Sequence, residues 1–294
     1  MGAHPPWLRF QAYLVGLPKT GSTSVATMFG RYRTGHEWQL MELVEAGMAR
    51  QSGALSDDEF LAAVGPRLTA PSLEMDSATG HHLYADVLRD RFPNAVFVHT
   101  VRDVRSWTSS LLDMVLRKRI ARASIELPYS SWETDYLALM TEGTYDLRPE
   151  CVDDDSAALP ALMRYWAEHM RQMAEVLPAE RTLRVRTDQL ARRAPALARL
   201  TGVSVQILRT DLSHANQAPR SLDRFATFDS PALRAAYDRH CGAIMAEVFP
   251  EAHERWQAQP PPTQSPQDAW AAYHVDLTRW VDEAIAQHGP TVAR

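Results

Sequence analysis

One stretch limits this chain more than any other: Gly16-Leu-Pro-Lys19-Thr-Gly-Ser-Thr23, set between an apolar run and a helical pattern. The run Phe10 to Val15 (Phe-Gln-Ala-Tyr-Leu-Val) is rich in strand formers and is stopped by Gly16. Ser22 to Tyr32 then reads as a helix. A glycine-bearing turn in that position aims backbone N–H groups from a helix N-terminus at one point, a natural site for an anion. It needs a strand, a tight loop and a helix in immediate succession, and therefore an α/β fold.

The rest of the chain agrees. Leu83 to Arg91 reads as a helix ended by Phe92-Pro-Asn, and Ala95 to Val101 as a strand of the fully buried type. Asp103 to Arg119 is helical, with Val104, Trp107, Leu111, Leu112 and Val115 on one apolar stripe. Ala157 to Leu177 is an amphipathic helix ending at Pro178, Thr182 to Val185 a short strand, and Asp188 to Leu200 a helix up to Thr201-Gly202. Strands alternating with helices predict a three-layer fold of the phosphate-loop (P-loop) kind: a central parallel sheet flanked by helices. Prolines at 260, 261, 262 and 266 mark residues 257–267 as a linker. The expected organisation is one domain over residues 1–256, that linker, and a C-terminal helix over 268–294 carrying Trp270, Tyr273, Leu277 and Trp280. An aromatic-bearing insertion lies around residues 120–150, with Tyr129, Trp132, Tyr136 and Tyr145.

Composition excludes several classes. A hydrophobic content of 45%, a charged content of 23% and a net charge of −5 over 294 residues describe an ordinary globular chain without a polyanion-binding face, so no nucleic-acid partner is expected. No run approaches the roughly 20 apolar residues that span a bilayer, and the first residues lack a signal-peptide core. A cytoplasmic protein with no membrane span is the expectation. Cys151 and Cys241 have no metal-ligand spacing. Asp153-Asp154-Asp155 lacks the interleaved spacing of a calcium loop and reads as a solvated loop or helix start. No metal is expected.

Gly16, Gly21 and Thr23 fall on the Walker A template G-x-x-x-x-G-K-[ST], but its lysine position holds Ser22, and a lysine stands at 19 instead. The cradle is kept and the cation is moved. Of 31 basic residues only Lys19 and Lys118 are lysine, so this one is not drawn from a lysine-rich background. A Walker lysine serves β/γ-phosphates while the next hydroxyl holds Mg²⁺. A lysine at the loop's crest suits the oxygen between a phosphate and a sulfuryl group, with hydroxyls from Thr20, Ser22 and Thr23 beside it. Charge-assisted hydrogen bonds of this kind are worth about 1.5–3 kcal/mol each.

Leu17-Pro18-Lys19-Thr20-Gly21-Ser22-Thr23 resembles the 5′-phosphosulfate loop of the sulfotransferases that use 3′-phosphoadenosine-5′-phosphosulfate (PAPS). That resemblance implies a second anchor for the donor's 3′-phosphate, an arginine at a strand end and a serine eight residues later; Arg102 and Ser110 match it, with Arg105 a weaker candidate. Leu183-Arg-Val-Arg-Thr187-Asp-Gln-Leu resembles the family's segment beside the adenine, and His214-Ala-Asn216-Gln-Ala-Pro-Arg220 the loop closing over the nucleotide, with Arg220 as a second 3′-phosphate ligand. The resemblance covers roughly residues 10 to 250. It departs where several members carry a stacking tryptophan after the loop and this chain has Ser24, and where the Arg-Lys-Gly loop of the animal enzymes is missing; Phe225 or Phe228 is the alternative stacking face.

Sulfuryl transfer to an alcohol also needs a proton acceptor. In carbohydrate-directed members a glutamate at about the offset of Glu37 serves, which makes Glu37 the first choice and its neighbour His36 the replacement. Asp76, in Glu74-Met-Asp76-Ser77, is a third candidate, with His81 and His82 after it. The implied enzyme sulfates a hydroxyl of a sugar, lipid or secondary metabolite. The 120–150 insertion then faces the acceptor, and the C-terminal helix caps that cleft or forms a homodimer. The rivals are a Mg²⁺-ATP-dependent kinase, with Asp103 as the metal-holding aspartate, and a nucleotide-binding protein without catalysis.

Overall fold

The computed structural model describes residues 8–69, 72–125, 130–145, 155–212 and 221–289. By its contacts the chain divides into two compact units, Met1–Arg102 with His169–Gln217, and Asp103–Glu168 with Ala218–Arg294. The first 102 residues give β1 (Ala12–Leu14), α1 (Ser22–Met28), β2 (Thr34–His36), α2 (Leu40–Gln51) and α3 (Asp57–Thr69). They continue with β3 (Met75–Ser77), α4 (Ala85–Arg91) and β4 (Val96–Val101). α5 (Val104–Ser124) and α6 (Ser131–Thr141) belong to the second unit, and α7 (Leu159–Val176) runs from it into the first. β5 (Thr182–Arg186) and α8 (Ala194–Thr201) complete the first unit. The second closes with α9 (Arg224–Thr227), α10 (Pro231–His240), α11 (Gly242–Val248), α12 (Pro250–Gln257) and α13 (Pro266–His288).

The five strands form one sheet in the order β2-β3-β1-β4-β5, every neighbouring pair parallel. Residues on β1 and β4 alternate faces, as a strand's period of two requires. Ala12, Leu14 and Val98 join Val25, Met28 and Phe29 of the α1 region and Leu197 and Ala198 of α8 in one core. On the opposite face Tyr13 packs against Phe92, Phe97 and His81. Sheet and helices on both faces make the α/β architecture of the phosphate-loop class. Full burial of each large side chain contributes about 1.5–3 kcal/mol, and Leu14, Val25, Phe29 and Val98 are all completely inaccessible.

One interior cluster of the first unit is polar. His99 and His169 meet Nε2 to Nε2 at 3.2 Å, and the ring of His82 lies 5.3 Å from that of His169. His82 Nδ1 donates to the Thr79 carbonyl at 2.6 Å, which fixes its tautomer. Burial pushes His82 down to about 4 and His99 down to about 3, with the charge of Arg184 adding to it. Burial and the two neighbouring rings hold His169 well below the ordinary value. Unfolded histidines take a proton near 6.5, so this contribution to stability is complete above that pH and is lost as pH falls through the folded values. For His82 alone the loss is about 2 kcal/mol at about pH 5, from 1.36 kcal/mol per pH unit. Urea unfolding at about pH 7.5 and pH 5 reads it: the midpoint falls in the parent and falls less in His82→Gln. Equal parent midpoints at the two pH values would remove the assignment.

Several expectations need correction. The helix expected over Asp188 to Leu200 is a 3₁₀ turn at Thr187–Gln189, then a break, then α8 with proline in its first turn; the side chain of Thr187 is committed elsewhere, as described below. The C-terminal helix starts at Pro266, two residues before the expected Asp268, capped by Ser265, whose hydroxyl accepts from the Asp268 N–H. β2, α2 and α3 were not anticipated.

In the second unit the predicted stripe of α5 is buried throughout, and α13 packs along α5. Arg224 is fully inaccessible; its Nε bonds Asp155 and its Nη1 bonds Asp113, while the Tyr273 hydroxyl donates to Asp113 Oδ1 at 2.7 Å. Asp155 opens the 3₁₀ turn Asp155–Ala158, the helix start that the acidic run offered, but it is buried and not solvated; Asp153 and Asp154 lie outside the described residues. Phe225 packs edge-on against Trp256 at 5.7 Å and Phe228 against Trp270 at 6.5 Å, both buried, so neither offers a stacking face. Of the insertion's aromatics Tyr136 is buried and Tyr129 lies outside the described residues. No described helix is long and apolar enough to cross a membrane.

Candidate active site

The loop after β1 has a construction that only glycine permits at its first position. A Cβ on Gly16 would stand 2.1 Å from Thr100 Oγ1, 2.4 Å from Thr20 Oγ1 and 2.7 Å from the Thr100 carbonyl oxygen. The space is filled by a hydroxyl pair: Thr20 Oγ1 donates to the Leu17 carbonyl at 2.7 Å and meets Thr100 Oγ1 at 2.9 Å. The loop is thus stapled to β4. Lys19, at the crest, takes a left-handed backbone at φ 67°, and Gly21 follows at φ 110°. A lysine pays a steric penalty there that a glycine would not, so the loop's shape is imposed by its anchors.

Gly21 is the N-cap of α1, with no side-chain cap and no acidic residue in the first turn. The first N–H groups of the helix and their partial positive charge are consequently not neutralised by any side chain of the helix itself. Arg102, one residue past β4, directs Nη1 to the Lys19 carbonyl at 3.3 Å. Thr187 donates its hydroxyl to the Thr20 carbonyl at 2.6 Å and lies 3.1 Å from that of Val101. Lys19, Thr20, Arg102 and Thr187 are therefore brought together at the C-terminal edge of the sheet, where open α/β folds bind ligands. Pro18 and Ser22 are buried, and Thr23 is half-buried.

A second group forms beside α1. His36 Nε2 stands 3.2 Å from Thr23 Oγ1, 3.4 Å from Ser22 Oγ and 3.8 Å from Glu37 Oε1. The loop hydroxyls, His36 and Glu37 thus form a continuous row. Glu37 has φ 51°; its N–H donates to the Ser77 carbonyl at 3.1 Å, which extends the β2–β3 pairing by one bond. Its Oε2 accepts from the Thr79 N–H at 3.0 Å and from the Thr79 hydroxyl at 3.3 Å, leaving Oε1 toward His36.

Asp76 sits apart from this row and is 4% exposed. Arg67 bonds both of its oxygens and His81 Nε2 lies 3.4 Å away. Burial opposes its charge, but His81 and Arg67 together hold the carboxyl below the usual carboxylate range. His81 and His82 are both interior, the former donating Nδ1–H to the Leu14 carbonyl at 3.0 Å. Ser110 lies on α5 in the second unit and is 9% exposed; Arg220 lies outside the described residues. Ser24 is buried. Among the described residues no group of three or more His, Cys, Asp or Glu could hold a metal ion.

Sequence reasoning missed Thr100 and Arg67. The hydroxyl of Thr100 was visible in the strand Ala95–Val101 as a polar residue next to the strand's end, a signal for a contact with the loop. Nothing local to Arg67 announced its partners.

A family model described as a sulfotransferase domain matches residues 13–189. Among solved structures the chain is similar to a sulfotransferase from Alicyclobacillus acidocaldarius, with 12% identity, coverage of 84% of this chain and 98% of that one, and a TM-score of 0.44. It is also similar to the sulfotransferase domain of the Synechococcus PCC 7002 olefin synthase, with 13% identity, 96% and 98% coverage and a TM-score of 0.38. No curated protein matches it.

Proposed function

This chain belongs to the sulfotransferase domain family, and we propose that it is a cytoplasmic enzyme transferring a sulfuryl group from PAPS to a hydroxyl acceptor. The observation that carries the donor is Lys19, held at the crest of the loop in a left-handed backbone beside the uncapped start of α1. The donor set fits an anionic phosphosulfate end: backbone N–H groups, the Ser22 and Thr23 hydroxyls and one ammonium group. When bound, PAPS supplies a sulfuryl group on a phosphate oxygen that departs as adenosine-3′,5′-bisphosphate.

The ammonium of Lys19 neutralises charge growing on the departing oxygen, where a fixed charge in a partly dry site acts more strongly than in water. Pro18 and Gly21 shape the loop, and Thr20 anchors it through Thr100. Arg102, at the end of β4 beside the loop, takes the 3′-phosphate. Thr187, whose hydroxyl is given to the loop backbone, holds the donor site in shape. Glu37 takes the acceptor's proton at Oε1, since Oε2 already accepts two hydrogen bonds from Thr79. His36 positions that carboxylate against the loop hydroxyls. Asp76 has its oxygens engaged by Arg67 and acts as an interior anchor of the same sheet edge.

Thermal unfolding with adenosine-3′,5′-bisphosphate, set against ATP with Mg²⁺, tests the donor. A ligand that binds only the folded chain stabilises it by about 2.7 kcal/mol at a hundredfold excess over its Kd. The bisphosphate is expected to raise Tm, and Lys19→Met to lower kcat about 10²–10³-fold, the size of one lost transition-state donor. Stabilisation by ATP with Mg²⁺ alone would overturn the proposal.

A further inference from the structure

The residues after Glu37 carry a feature that the donor does not use. Trp38, just before α2, is 50% exposed, and Met41 in its first turn is 44% exposed. Trp38 is bracketed by two left-handed residues, Glu37 at φ 51° and Gln39 at φ 50°. Its carbonyl is bonded by Arg67, through Nε at 3.0 Å and through Nη2. Strained backbone held from two sides persists where the surroundings over-determine it, and such turns gather at ligand sites. The turn holds an indole outward where burial alone would draw it in.

Beside Trp38 a cavity of about 470 Å³ opens between α2 and α3, within the size range of small-molecule sites. Leu43, Val64 and Pro66 form its apolar walls. Arg67 also lines it, but bonds Asp76 and the Trp38 carbonyl. The polar groups left are the Gln39 amide and the exposed carboxylate of Glu42. A sugar carries a hydroxyl on nearly every carbon and would leave most of them unpaired against such walls, a desolvation loss that an apolar body avoids. Glu42 also disfavours an anionic ligand.

We infer that this cavity holds the apolar body of the acceptor, a neutral aromatic or alkyl alcohol lying against Trp38 with its hydroxyl toward Glu37. The inference rests on the reading of Lys19 and Glu37 as the transfer site. It narrows the acceptor from sugar, lipid or secondary metabolite to compounds with a compact apolar group.

Calorimetric titration of the full chain with 2-naphthol, methyl β-glucopyranoside and adenosine-3′,5′-bisphosphate tests it. 2-Naphthol is expected to bind and the glucoside not. Ala63→Trp, which adds bulk to the cavity from an exposed helix position, and Trp38→Ala should each weaken naphthol by about tenfold or more, the effect of one aromatic contact. Bisphosphate affinity should stay unchanged in both, which also shows that the variants fold. Naphthol affinity indifferent to both substitutions, or glucoside binding that Ala63→Trp blocks, would overturn the inference. Naphthol binding lost in Ala63→Trp, in a parent that does not bind bisphosphate, keeps the cavity and overturns only the donor reading.

Discussion

Arg224→Met is expected to destabilise the second unit by about 3–5 kcal/mol, the range for removing one partner from a buried ionic group. Arg224 is wholly inaccessible, and so are Asp155 and, nearly, Asp113. Burial opposes the charge on the guanidinium, but the two carboxylates more than offset it and keep it protonated. Take the arginine away and two carboxylates face each other with the Tyr273 hydroxyl as a donor to one of them. Urea unfolding measures the loss. A triple variant, Arg224→Met with Asp113→Leu and Asp155→Leu, should recover most of it, because apolar replacement of a whole buried network is often neutral. A single variant within about 1 kcal/mol of the parent would show that the network does not stabilise the unit.

Gly16→Ala is expected to lower turnover by about a hundredfold, the effect of displacing reacting groups by about 1 Å. The added methyl would overlap Thr100 Oγ1 at 2.1 Å and the Thr100 carbonyl at 2.7 Å. Thr100 cannot retreat freely, since it is paired with Val185 in the sheet. The loop must lift instead, carrying Lys19 with it. Overpacking of this kind costs about 1–3 kcal/mol in stability as well. Bisphosphate titration and single-turnover rates check it together, and Gly16→Ala/Thr100→Ala, which removes the nearest contact, should restore part of both. Unchanged bisphosphate affinity in Gly16→Ala would mean that the loop is not the anion site.

The strand–loop–helix start, β4 and α5 were legible because a strand buried on both faces reads as an apolar run and a helix on a core reads as a stripe. β2, with the sequence Thr-Gly-His, has neither. α2 begins after Gln39 in a left-handed conformation, with no capping residue to announce it. α3 was announced and overlooked: Ser56 and Glu59 cap each other reciprocally, with the Ser56 N–H 2.8 Å from Glu59 Oε2. Pro66 in its last turn spoke against a helix there. Of the candidate site, Lys19 and the loop hydroxyls could be named from the loop's spacing, and Arg102 from the resemblance to the sulfotransferases. The role of Thr187 in the loop's backbone, and the partners of Asp76 and Arg224, could not, since pairs such as Arg224 with Asp113 join residues far apart in sequence.

The outer edge of β4 is closed by β5, and β5 is translated only after all of Asp103–Glu168 has been made. A ribosome adding about 5–20 residues per second leaves that edge open for roughly 4–16 s. During that interval Val96-Phe-Val-His-Thr-Val101 is an uncharged, β-prone template on a nascent chain, the kind of edge that recruits other strands. Yield in a cell therefore depends on how this interval is guarded. Messages or fragments that end before Thr182 are the ones that should precipitate.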